Sequence, residues 1–143
     1  MASDLKLAGQ IYLLSFKKDL DELHLKQLLV IINDKTSTKQ QIKDNIQTFF
    51  EEIGGEIFVK FNKIQTKLLF KQGIYASKIH SCKNDLSEEA KAILEKASKI
   101  KNDFSLTPEQ EKRKLSELFG SVSDSVKSEF EILAKVFGKE KWI

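Results

Sequence analysis

The chain has 143 residues, 41% of them apolar and 31% charged, with ten Phe, six Gly and a single Pro. This is enough for one domain with a real core, too apolar for a disordered chain, and without any apolar run near the roughly 20 residues of a membrane span. A net charge of +3, with 13 basic and 12 acidic residues after position 72, does not point to nucleic acid, and one cysteine excludes an internal disulfide.

At the start, Met1-Ala2-Ser3-Asp4 lacks a basic leader, so the expectation is a cytosolic chain or a mature chain with an added start. The stretch from Leu5 to Phe16 reads as a short helix or an apolar arm. Lys18 to Asn33 reads as a helix with Asp19, Asp21 and Glu22 in its first turn, where carboxylates offset the macrodipole. Its end, Leu28 to Ile32, is apolar on every side and needs burial by neighbours or by a ligand. After a polar loop, Thr38 with Gln41 three residues on has the form of a capping box. Ile42, Ile46, Phe49 and Ile53 then form a helical stripe, and Gly54-Gly55 ends it.

The stretch from Glu56 to Asn84 organises the rest. It holds 29 residues without proline, with Ile57, Phe61, Ile64, Leu68, Tyr75, Ile79 and Cys82 in one stripe at about 100° per residue. As a helix it spans about 43 Å. Gly73 falls opposite the stripe as a weak point or slight bend, costing about 1 kcal/mol against alanine. Ser87 caps the next helix, whose inner face is Ala90, Ile93, Leu94, Ala97, Ile100 and Phe104. Thr107-Pro108-Glu109-Gln110 is the strongest helix start in the chain. Leu115, Leu118, Phe119 and Val122 follow, and Gly120 to Ser123 turns the chain. Ser123 and Asp124 open a last helix with Val126, Phe130, Leu133 and Phe137 inward, closed by Gly138. Trp142 and Ile143 are expected to dock or to meet a partner. The fold reading is all α: a single-domain bundle of five to seven helices around one long helix (56–84), with residues 1–17 as an arm or short helix and 18–143 as the helical domain.

Two stretches carry a family likeness. Thr36 to Gln65, TSTKQQIKDNIQTFFEEIGGEIFVKFNKIQ, and Leu86 to Glu131, LSEEAKAILEKASKIKNDFSLTPEQEKRKLSELFGSVSDSVKSEFE, resemble the nematode SXP/RAL family of secreted antigens, a group that includes an Anisakis allergen. The likeness covers roughly residues 20 to 135 and consists of pattern and short blocks rather than a catalytic signature. It implies a secreted, helical, nematode-specific protein with a cation-binding domain for magnesium or calcium. The long helix departs from the family pattern: Ile57 to Asn84 holds six Lys and no acidic residue, which weighs against a cation site there.

Hard divalent ions need several oxygen ligands. The carboxylate groups available are Asp19/Asp21/Glu22, Glu51/Glu52/Glu56 and Asp85/Glu88/Glu89, none in an EF-hand pattern. Their ordinary role is charge at helix ends, so any Mg2+ or Ca2+ site is expected to be weak, in the millimolar range. Lys60, Lys63, Lys67, Lys71 and Lys78 lie within about 80° of arc on the long helix, with Phe70 and Ile74 beside them. This face could meet a fatty-acid carboxylate, an anionic lipid or an acidic host protein, and its ordinary reading is a solvated face whose Lys stems cover the core edge. The ten Phe and Leu28 to Ile32 could line a lipid cavity, against the ordinary reading of a close-packed core.

Catalysis is not expected. His24 and His80 stand without Cys, Ser or Asp at a telling spacing, His80 reads as exposed, and Cys82 reads as an inert buried thiol. The functional expectation is a secreted non-enzymatic antigen of the SXP/RAL type with a weak divalent-cation site, acting at the host–parasite interface. The alternatives are a helical carrier of fatty acids or other small apolar ligands, and a protein-interaction module using the basic and apolar face of the long helix.

Overall fold

The computed structural model describes residues 4–137. Among these residues the chain is all α, with seven α-helices: α1 (Asp4–Phe16), α2 (Glu22–Ile32), α3 (Lys39–Ile53), α4 (Gly55–Cys82), α5 (Glu88–Lys101), α6 (Pro108–Gly120) and α7 (Asp124–Phe137). One 3-10 turn, Lys83–Asp85, follows α4. Gly138, Trp142 and Ile143, read above as a helix end and a docking tail, lie outside the described residues, as does the side chain of Phe137.

Local chemistry sets most of the boundaries. The Thr38 hydroxyl accepts from the Gln41 N–H at 3.1 Å, and the Gln41 side chain accepts from the Thr38 N–H at 2.8 Å. The next two free donors of α3, the N–H groups of Lys39 and Gln40, bond to the carbonyls of Leu106 and Phe104 at 2.8 and 3.0 Å. The opening turn of α3 therefore has protein acceptors for donors that a helix start otherwise leaves to water. Its end is set by Gly54 at φ 67°, ψ −161°, a region open in practice only to glycine, and Gly55 follows at φ 58°.

Two boundaries differ from the sequence reading. Helix α2 begins at Glu22 rather than Lys18, because the Asp21 carboxylate accepts from the His24 N–H and makes Asp21 the cap. Lys18 and Asp19 sit in the turn before it, where the N–H groups of Asp19 and Leu20 bond back to the Phe16 carbonyl. Helix α5 stops at Lys101, so Phe104 is not on its inner face but in the following loop, 37% exposed. Of the two readings of Leu5 to Phe16, the short helix is the one observed, as α1, with Gly9, Tyr12 and Phe16 buried.

Contacts within the chain fall into two compact units, Met1–Leu69 with Phe104–Glu109, and Phe70–Asp103 with Gln110–Ile143. The first is built on aromatic rings. Phe50 stacks on Phe61 with centroids 4.3 Å apart, Phe16 lies 4.7 Å from Phe50, and Tyr12 lies 5.1 Å from Phe61. Phe16, Phe50 and Phe61 are at most 1% exposed. Burial among these rings pushes the Tyr12 phenol up to about 12 by desolvation. Lys60 closes the edge of this cluster. Its ammonium sits 5.0 Å from the Phe16 ring centroid and donates to the Ser15 carbonyl at 2.8 Å and to Asp19 at 2.6 Å. Close approach of α1 to α2 explains Gly9: a Cβ there would stand 2.6 Å from Cγ2 of Ile32.

In the second unit Ala90, Val122 and Val126 form a small core, joined by Leu86, Ile93 and Phe130. Phe119 meets Phe130 edge-on at 5.7 Å. The cap of α5 is also its tie to α7: Ser87 accepts from the Ala90 N–H and gives its own N–H and hydroxyl to the Glu129 carboxylate at 2.8 and 2.7 Å. Those bonds, backbone first, hold Glu129 below the usual carboxylate range.

Of the stripe read on the long helix, Phe61 and Leu68 are buried, while Ile57, Ile64, Tyr75, Ile79 and Cys82 are half-buried. Cys82 is thus a half-covered free thiol and not a core group. A helical stripe is sealed only where side chains from neighbouring elements close over it, and its seven members are sealed at two.

Candidate functional site

Helix α2 has more apolar surface than its neighbours cover. Leu28 is fully buried, but Leu23, Leu29 and Val30 are 64%, 44% and 71% exposed. Of the two ways to cover Leu28 to Ile32, neighbouring helices therefore supply only part, burying Leu28 but not Leu29 or Val30. A helix packed on one side turns only part of its circumference inward, and this one is apolar nearly all round. The exposed side borders an open groove of about 580 Å3 in the first unit. Lys26, Gln27, Val30 and Ile31 of α2 form one wall, and Asn45, Thr48, Phe49 and Glu52 of α3 form the other. Val30, Ile31 and Phe49 supply its apolar part, and the rest of the lining is one cation, one carboxylate and neutral polar groups.

The lysine face of α4 is not uniform. Lys60 is engaged with Ser15 and Asp19, Lys63 and Lys67 are exposed, and Lys71 and Lys78 are half-buried and engaged in interactions of their own. Phe70 is 70% and Ile74 is 41% exposed. The carboxylates singled out in the sequence are all on the surface. Glu51 accepts from Gln47, Glu88 pairs with Lys91 and Glu89 accepts from Ser123, while Glu52, Glu56 and Asp85 are exposed at helix ends or in the 3-10 turn. Among the described residues, no three His, Cys, Asp or Glu side chains gather as a metal-binding group. None of the described helices is long and apolar enough to cross a membrane.

Sequence reading missed several polar features. His24 has an aspartate partner after all: its Nδ1 lies 2.8 Å from Asp21, at the spacing of a cap and its third helical residue. The His24 backbone N–H, then its ring, hold Asp21 below the usual carboxylate range. Lys39 and Glu111 are charged residues only 2% and 3% exposed. The Lys39 ammonium stands 5.0 Å and that of Lys43 5.5 Å from the Phe104 ring centroid. Heptad-like spacing gives no warning of a buried lysine, because the ring that covers it arrives from about 65 residues away in the sequence.

Asp34 is the one carboxylate of the loop before α3. It accepts from the N–H and hydroxyl of both Thr36 and Ser37. These bonds, led by the Ser37 hydroxyl, lower its pKa to about 2. A depressed carboxylate stabilises the fold above its unfolded pKa and loses that contribution as pH falls through the folded one. The expected result is a decline in thermal stability between about pH 4 and pH 2, which Asp34→Ala makes shallower. Melting curves across that interval check it, and an unchanged slope in the variant contradicts it.

The arrangement defines an all-helical protein with an aromatic core and uncovered apolar surface. No family model and no solved structure matches the chain. It is similar to the SXP/RAL-2 family protein Ani s 5 of Anisakis simplex, at 26% identity over 98 residues. The match covers 68% of this chain and 64% of that protein, so it spans just under two thirds of the relative.

Proposed function

We infer that this chain is a secreted, non-enzymatic nematode protein of the SXP/RAL type that works through its surface at the host–parasite interface. The likeness to the Anisakis protein supports the family. The observation that carries the surface reading is where the aromatic residues go. Phe16, Phe50 and Phe61, which a fatty-acid carrier would need as a lining, fill the centre of the first unit in contact with one another. Apolar groups such as Leu23, Val30 and Phe70 stand outside instead. The weak cation site belongs to the same reading through the family likeness alone, with Asp85, Glu88, Glu89, Glu51, Glu52 and Glu56 as the surface carboxylates available to it.

Native mass spectrometry tests this on metal-stripped protein, then with millimolar calcium or magnesium, then with a fatty-acid mixture. The expected spectrum has no stoichiometric fatty-acid adduct, and any cation adduct is weak enough to be lost on modest dilution. A retained fatty-acid adduct at one per chain moves the protein to the carrier class.

A further inference from the structure

We propose that the outer face of α4 is a contact surface for an anionic lipid bilayer, with Lys63 and Lys67 at the headgroup phosphates and Phe70 and Ile74 reaching below them. The inference rests on the surface reading above and names one partner for it.

The face is a single row. Val59, Lys63, Lys67, Phe70 and Ile74 follow one another at steps of four, four, three and four. At 100° per residue they stay within about 80° of arc. All five belong to one unbroken helix, so the row follows from helix geometry alone and runs for about 22 Å. Every member faces outward. Val59, Phe70 and Ile74 are 52%, 70% and 41% exposed, and both lysines are exposed as well.

The charge on the row has one sign. Lys60, on its edge, is taken up by Asp19 and the Ser15 carbonyl. Lys63 and Lys67 have no ion-pair partner among the described residues. The one carboxylate of α4, Glu56, stands in the first turn, before the row begins. Such a face calls for an anionic occupant.

The order of residues favours a bilayer over an acidic protein. Protein interfaces gather apolar groups at the centre, leave charge to the rim and are depleted in lysine. Here the two lysines stand inside the row, between Val59 and Phe70. At a bilayer that order fits: a lysine stem lies along the apolar side and lifts its ammonium to the phosphates, while a neighbouring ring goes deeper. A soluble polyanion offers nothing to Phe70 and Ile74. Each lysine near an anionic surface strengthens binding about fivefold. With few apolar groups to insert, the contact is expected to be weaker than that of a single myristoyl chain, with half the protein bound near about 1 mM accessible lipid.

Co-sedimentation of the full chain with vesicles tests this, using phosphatidylcholine alone and with about 30% phosphatidylserine. The expected result is binding to the anionic vesicles only, lost as salt rises from about 0.1 to about 1 M and the screening length falls from about 10 to about 3 Å. Lys67→Glu lowers the binding at least fivefold, and Phe70→Ala lowers it about threefold. Lys112→Glu, the same charge change at an exposed position of α6, lowers it less than about twofold, as charge outside the contact is screened. Circular dichroism checks that these surface variants keep their helices. No binding to either vesicle overturns the proposal, as does equal binding to both, or a Lys112→Glu loss as large as that of Lys67→Glu. Poly-glutamate is tested in parallel, and a chain that binds it but not the vesicles also overturns the proposal and leaves the face to an acidic protein. The fatty-acid spectra do not depend on vesicle binding, so the surface reading can stand while the bilayer contact falls.

Discussion

Phe50→Ala is expected to lower the unfolding free energy by about 3–5 kcal/mol. Phe50 is fully buried, and its ring meets Phe16, Phe49 and Phe61 at centroid distances of 4.7, 5.1 and 4.3 Å and Tyr12 at 5.9 Å. Removing it takes away the transfer energy of one ring and leaves a void among four others, which they cannot close without leaving their own contacts. A domain of ordinary stability has about 5–15 kcal/mol in total, so the loss is a large fraction of what holds the fold. Phe70→Ala is the control. That ring is 70% exposed, and its loss is expected to change stability within about 0.5 kcal/mol. Urea denaturation of the two variants beside the parent checks both. Equal losses would mean that the first unit is not organised around Phe50.

Gly54→Ala carries the second large effect. At φ 67°, ψ −161°, the residue stands where an L side chain is strained, and the expected cost is about 1–3 kcal/mol. The loss is conformational rather than steric, since the nearest atom to an added Cβ is the Glu51 carbonyl oxygen at 3.7 Å. Gly73 separates the two causes. It lies within α4 and an added Cβ meets nothing within 4 Å, so Gly73→Ala is expected to stabilise the protein by about 0.5–1 kcal/mol. Opposite signs from the same substitution in one chain follow from backbone angle alone. Thermal melting of the pair measures them, and a neutral Gly54→Ala would contradict the assigned turn.

These residues also show what could be read in advance. Gly54-Gly55, Thr38 with Gln41, Ser87 and Pro108 act over one helical turn, so their chemistry is complete within the sequence and places the helix ends. The apolar period of α4 likewise gives its extent to within a residue or two. What the period cannot give is coverage. Ile57, Ile64 and Tyr75 share the stripe of Phe61 and Leu68, yet they are only half-buried. Burial depends on which neighbours arrive, and they arrive from distant sequence. The same holds for Val30, which stands in an apolar run and is nevertheless 71% exposed. It holds again for Lys39, buried at a helix start with the Phe104 ring beside it. The lysine face of α4 was visible as a pattern, but only the structure shows that Lys60 belongs to the edge of the aromatic core.

The groove was not legible at all, because its walls come from two helices and its apolar residues look in sequence like ordinary core. Reading the exposed surface as the working part, with the aromatic centre closed, is the central claim. It is tested most directly by two-dimensional NMR of the full chain with a fatty acid added. The expected result is that the signals of Tyr12, Phe16, Phe50 and Phe61 stay fixed. Fatty-acid shifts centred on those four rings would contradict the account.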